Sequence, residues 1–356
     1  MTSERIFGFD LIRSLATIVI VFHHSSFLFA DYYTIPDTLK FPDPVDLFFV
    51  GSGFLVGRIL ITHFITRDDY SVQNALTFLR RRWFRTFPNY YLFLVINLVL
   101  VLLELSPGKL NSHSILYFGF LQNVHKPLDL FFWESWSLVV EEWFYLIFPL
   151  LLLCIYRLFK YKVFNGRKAF LGITLTLILF PTIYRLVVYD AALDWDIFFR
   201  KLTVTRMDTI GYGLLAAYLQ VYHFSTFRKY HWLTFLLGLF LYFFPSLFFN
   251  SWDHDFQCTW FFSITAIGVT LLFPMLYRWK EEPIKNKPSR FVALISYSVY
   301  LCHLPIAYIM QPLFNEISLI NTLLLYLVYW SIVLTVSNLI YKYFEHPITN
   351  LRDRFG

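Results

Sequence analysis

Long apolar runs recur along the whole chain, and no other feature limits its fold as sharply. Leu92 to Leu103 is interrupted only by Asn97, and Leu146 to Ile155 holds only apolar residues. A helix needs about 20 mainly apolar residues to cross a bilayer core. By that rule the sequence predicts about ten membrane helices, at about 7–29, 45–65, 88–105, 136–158, 168–188, 203–222, 232–249, 257–277, 291–311 and 318–344. Ser114 to Val124 is too short to cross and is assigned to the interface. No Gly/Ser- or Pro-rich linker and no internal repeat divides the chain, so residues 1–356 read as a single all-α, polytopic membrane domain.

Composition agrees. The chain is 57% hydrophobic and 15% charged, where a soluble domain has about 45–50% and about 25%. The net charge of +6 therefore does not argue for nucleic acid as a partner; it fits basic cytoplasmic loops beside a lipid bilayer. With the N-terminus placed inside, the inside segments hold Arg5, the Arg80 to Arg85 group, Lys160, Lys162, Arg167, Lys280, Lys285, Arg352 and Arg354, among others. The outside segments hold Lys40, Lys109, Lys126, Arg200 and Lys201, among others. The inside total is roughly three times the outside one, which predicts that both termini are cytoplasmic. Arg13 and the histidines interrupt the first apolar run and no small-residue cleavage site follows, so that run is expected to stay as the first membrane helix. Cys154, Cys258 and Cys302 lie in or beside apolar runs and read as packed thiols. No cysteine or histidine spacing suggests a metal site.

An ionisable group within a span costs about 2.5–3.5 kcal/mol on insertion scales and is a functional candidate by default. For Arg5 and Arg58 the plainer reading is a side chain snorkelling from a helix end. In "FDLIRSLATIVIVFHHSSFLF", however, Arg13 and His24 are eleven residues apart. The rotation is about 1100°, some 20° past three turns, so they share a face about 16 Å apart. His23 points about 100° away, which predicts a different job. The bland reading of His24 is a buried histidine bonded to a neighbouring helix.

Other spans carry polar groups at comparable depths. In "SWSLVVEEWFYLIFP", Glu141 has Ser137 and Tyr145 one turn to either side, whereas Glu142 has leucines. Glu141 is therefore expected on the interior face. "VDLFFVGSGFLVG" offers Asp46 and Ser52, with Gly51 and Gly53 allowing close helix approach. "RMDTIGYG" brings Arg206 and Asp208 into the sixth span, and His303 lies near the middle of the ninth. Arg81, Arg82 and Arg85 precede the third span; Arg81 and Arg85 share a helix face. That suits a multiply phosphorylated ligand, although basic anchoring at the membrane surface is the plainer account.

Taken together, these segments resemble the membrane acyltransferase family 3, ten-helix integral membrane O-acyltransferases, over nearly the whole length. The family pattern of an arginine, ten residues and a histidine fits Arg13 and His24 and selects His24 over His23. "VDLFFVGSGFLVG" is similar to its second-helix motif and "RRWFRTFPNYY" to its basic motif. "WSLVVEEWFYL" is similar to its fourth-helix motif, and "ISYSVYLCHLPI" and "YFEHP" to later ones. An aromatic residue usually precedes the histidine; His23 stands there instead. The chain ends soon after its last predicted helix, so the extracytoplasmic hydrolase-like domain fused to some relatives is expected to be absent.

The resemblance implies transfer of an acyl group, commonly acetyl, from cytoplasmic acyl-CoA (acetyl-CoA) to a hydroxyl of an extracytoplasmic glycan or lipid-linked saccharide. It implies a bacterial cytoplasmic membrane and no metal cofactor. Arg81, Arg82 and Arg85 are expected to hold the CoA phosphates, with Arg13 on a phosphate or the pantetheine arm. His24 is expected as general base or as an acylated nucleophile, with Glu141 orienting its ring or binding the acceptor. Asp46, Ser52, Ser137, Tyr145, Arg206, Asp208 and His303 are assigned to the substrate path. An oligomer is compatible with the sequence. The alternative is a secondary transporter or flippase of a small polar or lipid-linked substrate, but no paired Gly/Pro-broken segments occur in the two halves. A relative without catalysis would have no use for Arg13, His24 and Glu141 together.

Overall fold

The computed structural model describes residues 6–32, 42–159, 164–279 and 287–351. Arg5, Lys40, Lys160, Lys162, Lys280, Lys285, Arg352 and Arg354, used above for orientation, lie outside the described residues. No strand occurs among the described residues. In chain order the helices are α1 (Phe7–His24), α2 (Pro44–Leu60), α3 (Val72–Leu102), α4 (Trp136–Phe159), α5 (Gly166–Val188), α6 (Thr203–Tyr222) and α7 (Phe224–Lys229). They continue as α8 (His231–Leu247), α9 (His254–Thr259), α10 (Phe261–Leu276), α11 (Lys287–Met310), α12 (Leu319–Ile340) and α13 (His346–Leu351).

Helices occupy all of the segments expected to cross, but among the described residues 7 are long and apolar enough to do so by themselves. They are α1, α2 extended to Thr66, α3, α4, α5, α11 and α12 extended to Leu351. The chain is thus a multi-pass integral membrane protein. α8 and α10 fall short at 17 and 16 residues, while α6 is long enough but carries Arg206 and Asp208.

Local chemistry sets the ends. Asp43 caps α2, accepting from the Val45 N–H at 3.0 Å, with Pro44 in the first turn. Ser71 caps α3 through the Asn74 N–H. α3 therefore starts well before residue 88 and carries the arginine group within the helix. Pro88 does not end it; the Tyr297 hydroxyl donates to the nearby Thr86 carbonyl at 2.8 Å. α1 stops at His24 rather than near residue 29. Ser25 and Ser26 turn their hydroxyls back on the carbonyls of Val21 and His23, at 2.7 and 2.8 Å, and the chain tightens into a 3-10 turn over Ser26–Phe29. The segment assigned to the interface forms a 3-10 helix at Ser112–Gly119.

Lateral packing pairs α2 with α6, α8 with α10, α5 with α6, α1 with α11 and α11 with α12. α2 and α6 touch backbone to backbone: a Cβ on Gly53 would fall 2.1 Å from the Ile210 carbonyl oxygen, and one on Gly213 2.1 Å from that of Val50. Gly51 faces open space and plays no part in this approach. Leu15, Ile18 and Phe22 on α1, and Ile320, Leu323, Leu324 and Leu327 on α12, are exposed, as lipid-facing surfaces require. Cys258 and Cys302 are buried, but Cys154 is exposed on α4 and is not a packed thiol.

Candidate active site

His24 closes α1, and packing of α1 against α11 brings it to His303. His24 Nδ1 lies 2.9 Å from His303 Nε2, with the rings 19° from parallel. His303 is completely buried, and its Nδ1 sits 3.1 Å from the Val299 carbonyl oxygen one turn earlier. Tyr329 on α12 donates to the His303 carbonyl at 3.2 Å. On α11, the Tyr300 hydroxyl donates to the Glu134 carbonyl at 2.7 Å and meets the Ser137 hydroxyl at 2.8 Å. Ser137 is thus bonded beside the histidines. His23 is exposed.

Glu141 belongs to a second cluster. Ser52 on α2 donates to its Oε1 at 2.7 Å and Tyr145 to its Oε2 at 3.2 Å. Arg13 and Arg85 supply the neighbouring positive charge. The hydrogen-bond partner of the His24 ring is His303, while the Glu141 carboxylate is held by Ser52 and Tyr145 near Arg13 and Arg85. Glu142, set aside above for its leucine neighbours, is also buried, on the side of Arg82.

α3 delivers Arg82 and Arg85 to this second cluster. Arg82 lies 6.0 Å from the Tyr145 ring and 5.9 Å from that of Phe78. Arg85 is exposed, and Arg81 is half-buried with its Nε lacking a hydrogen-bond partner. Arg58 rests over the Tyr277 ring at 5.5 Å.

Asp46, Arg206 and Asp208 have a different environment. All three are completely buried. Arg206 on α6 bonds Asp46 on α2, and Thr265 on α10 donates to the same carboxylate at 3.1 Å. The Arg206 guanidinium also lies 4.3 Å from the Phe262 ring centroid. Arg185 on α5 bonds Asp208 at 2.7 Å and donates to the Thr205 carbonyl. These pairs join helices, and none of the three assigned side chains reaches the histidine cluster. Arg185 was missed because it closes an apolar run; Thr182 one turn before it was the available signal. Asn89, which donates to Glu345 at 2.8 Å beside Ser298, was missed as well. Its signal was an amide inside an otherwise apolar and aromatic stretch.

Beyond the ends of the spans, Arg200 bridges Asp43 at 2.6 Å and Asp196 at 2.7 Å, and stacks 5.3 Å over Trp136. Burial alone would raise the Asp43 carboxyl, but the Arg200 guanidinium outweighs it and holds the group below its ordinary value. Among the described residues no cluster of three metal-ligating side chains occurs.

The acyltransferase-domain family known as acyltransferase family 3 matches residues 6–342. The peptidoglycan O-acetyltransferase OatA of Listeria monocytogenes is 24% identical over 371 residues, covering 95% of this chain and 55% of the relative. An uncharacterized protein of Haemophilus influenzae is 30% identical over 129 residues, covering 33% of this chain and 51% of the relative. The chain thus spans about half the length of the first relative. No solved structure matches it. With the arginine of one cluster and the histidine of the other carried on one helix inside the matched region, the chain belongs to the membrane acyltransferase family 3.

Proposed function

We propose that the protein moves an acyl group, acetyl in the first instance, from cytoplasmic acyl-CoA to a hydroxyl of an extracytoplasmic glycan or lipid-linked saccharide. The peptidoglycan O-acetyltransferase relative supports a glycan acceptor and an acetyl donor. One observation carries the reading. α1 holds Arg13 in a charged cluster with Arg85 and Glu141, and holds His24 in a histidine cluster with His303, about 16 Å away along one face. That spacing suits a thioester on an extended pantetheine arm, with its phosphates at the arginines and its carbonyl at the imidazole.

In this reading Arg81, Arg82 and Arg85 bind the CoA phosphates and Arg13 the arm. The acceptor hydroxyl gives its proton to His24 as its oxygen forms a bond to the thioester carbon. The carbon–sulfur bond breaks, and the thiolate takes the proton back, leaving ester and free CoA. Ser137 and Tyr300 line the acceptor side. All ten apolar helices cross, with both termini cytoplasmic. The internal pairing of Arg206 with Asp46 and of Asp208 with Arg185 supports α6 as a span, because paired charges lose most of their insertion penalty.

The test is transfer of labelled acetyl from acetyl-CoA to glycan by the protein in lipid vesicles, followed by mass spectrometry of the glycan. Labelled ester that disappears in His24→Ala while the variant remains folded is the expected result. Glycan flux without covalent change points to a transporter, and full transfer by His24→Ala removes the assigned base.

A further inference from the structure

His303 is buried between α1 and α12, and a role in contacting substrate leaves its two hydrogen bonds unexplained. The Val299 carbonyl oxygen can only accept a hydrogen bond, so His303 Nδ1, 3.1 Å away, must be the donor. Among the described residues no carboxylate hydrogen-bonds to this fully buried ring, and an unpaired buried charge is costly, so the ring is neutral. A neutral imidazole has one N–H. With the proton on Nδ1, His303 Nε2 carries a lone pair. That lone pair faces His24 Nδ1 at 2.9 Å, so His24 must donate there. His24 is then protonated at Nδ1 and bare at Nε2. Its Nε2 has no hydrogen-bond partner among the described residues.

We infer that His303 is a positioning residue. It passes the polarity of the Val299 carbonyl across α11 to α1 and locks His24 in the tautomer whose Nε2 lone pair is free. The inference rests on the reading of His24 as general base and deepens it. A base must present a lone pair, and an imidazole left to itself in water favours the opposite tautomer, with the proton on Nε2. When His24 takes the acceptor proton on Nε2, the bond from its Nδ1–H to His303 strengthens, because the donor is now charged. His303 thereby fills the orienting place that a carboxylate occupies in other base dyads, and it does so without adding a negative charge to the membrane interior.

The experiment is nitrogen NMR of the full-length protein, labelled at histidine and held in lipid nanodiscs, with the His24 signals assigned by their loss in His24→Ala. The expected wild-type result is a protonated Nδ1, a bare Nε2 and a through-bond coupling from His24 Nδ1 to His303 Nε2. In His303→Leu the coupling vanishes, His24 moves its proton to Nε2, and kcat falls roughly 10²–10⁴-fold with KM for acetyl-CoA unchanged. His303→Gln, whose amide can accept from His24 and donate to Val299, restores the Nδ1–H form and recovers at least about tenfold of the lost rate. A wild-type His24 protonated at Nε2 overturns the inference, and so does a folded His303→Leu that keeps the Nδ1–H tautomer. Because the tautomer is read without turnover, this result stands apart from the base assignment, which fails separately if His24→Ala remains active.

Discussion

Ser52 on α2 donates its hydroxyl to the Glu141 carboxylate on α4 across 2.7 Å. With Tyr145 on the second oxygen and Arg13 and Arg85 supplying positive charge, this carboxylate ties three helices to α1 at one point. A hydrogen bond to a charged group contributes about 1.5–3 kcal/mol. Ser52→Ala is therefore expected to lower the thermal midpoint in detergent, and Glu141→Ala to lower it further. The two losses are coupled: in the Glu141→Ala background, Ser52→Ala should cost little more. Equal costs in both backgrounds would show that the contact does not hold the helices.

Arg185 and Asp208 form an ion pair with both side chains at 0% exposure. Removing one partner of such a pair costs about 3–5 kcal/mol, because the other charge stays behind in the core. Asp208→Ala should reduce folded yield and thermal midpoint sharply. Arg185→Met combined with Asp208→Leu should recover most of both, and the recovered protein should transfer acyl groups. A stable double variant without activity would return Asp208 to the substrate path.

The line between what was legible and what was hidden runs between helical phase and tertiary pairing. Arg13 and His24 share a helix, so their common face could be read from spacing alone. His303 stood out as a histidine at mid-depth, but its partner lies 279 residues away, and no periodicity links α1 to α11. Asp46, Arg206 and Asp208 stood out as site candidates because an ionisable group in a span is costly. Their ion pairs meet that cost from neighbouring helices, which a single segment does not reveal. Glu141 shows the same limit: its stripe of polar neighbours located the right helix face, while its opposing residues came from α1, α2 and α3. The same charges explain α6, whose length fits a span and whose composition alone does not.

Gly51 and Gly53 are two residues apart and should respond oppositely to substitution. At Gly53 a Cβ would meet the Ile210 carbonyl oxygen at 2.1 Å, so α2 and α6 must separate. Gly53→Ala is expected to cost about 1–3 kcal/mol or more through that displacement. Gly51→Ala meets no atom within 4 Å. It should be neutral or add about 0.5–1 kcal/mol from reduced backbone freedom. Thermal midpoints of the two variants decide it, and equal destabilisation would contradict the observed contact.

Asp43 carries a pH signature. Burial pushes its carboxyl up, but Arg200 and the α2 cap hold it below the ordinary value. The folded group therefore binds its proton less readily than the unfolded one. Its contribution is fully present above about pH 4 and is lost as pH falls through the lower folded value. Asp43→Asn keeps the cap and removes the charge. Its thermal midpoint should lie below wild type at pH 7, and the gap should narrow as pH falls from about 4 toward 3. A constant gap down to that pH would place the effect outside this ion pair.

Arg81 and Arg85 offer the sharpest separation of donor from acceptor. They share a face of α3, and Arg85 adjoins Arg13, which lies about 16 Å along α1 from His24. If they hold phosphates of acyl-CoA, Arg81→Ala and Arg85→Ala should each raise KM for acetyl-CoA about tenfold to a hundredfold, as loss of a charge-assisted bond of about 1.5–3 kcal/mol requires. KM for the glycan should stay within about twofold, because the acceptor meets the opposite end of the helix. Acetyl-3′-dephospho-CoA identifies the phosphate. Whichever arginine binds the 3′ group should show no further loss with this donor, while the other keeps its full effect. Unchanged acetyl-CoA affinity in both variants would leave the cluster as an anchor to anionic lipid.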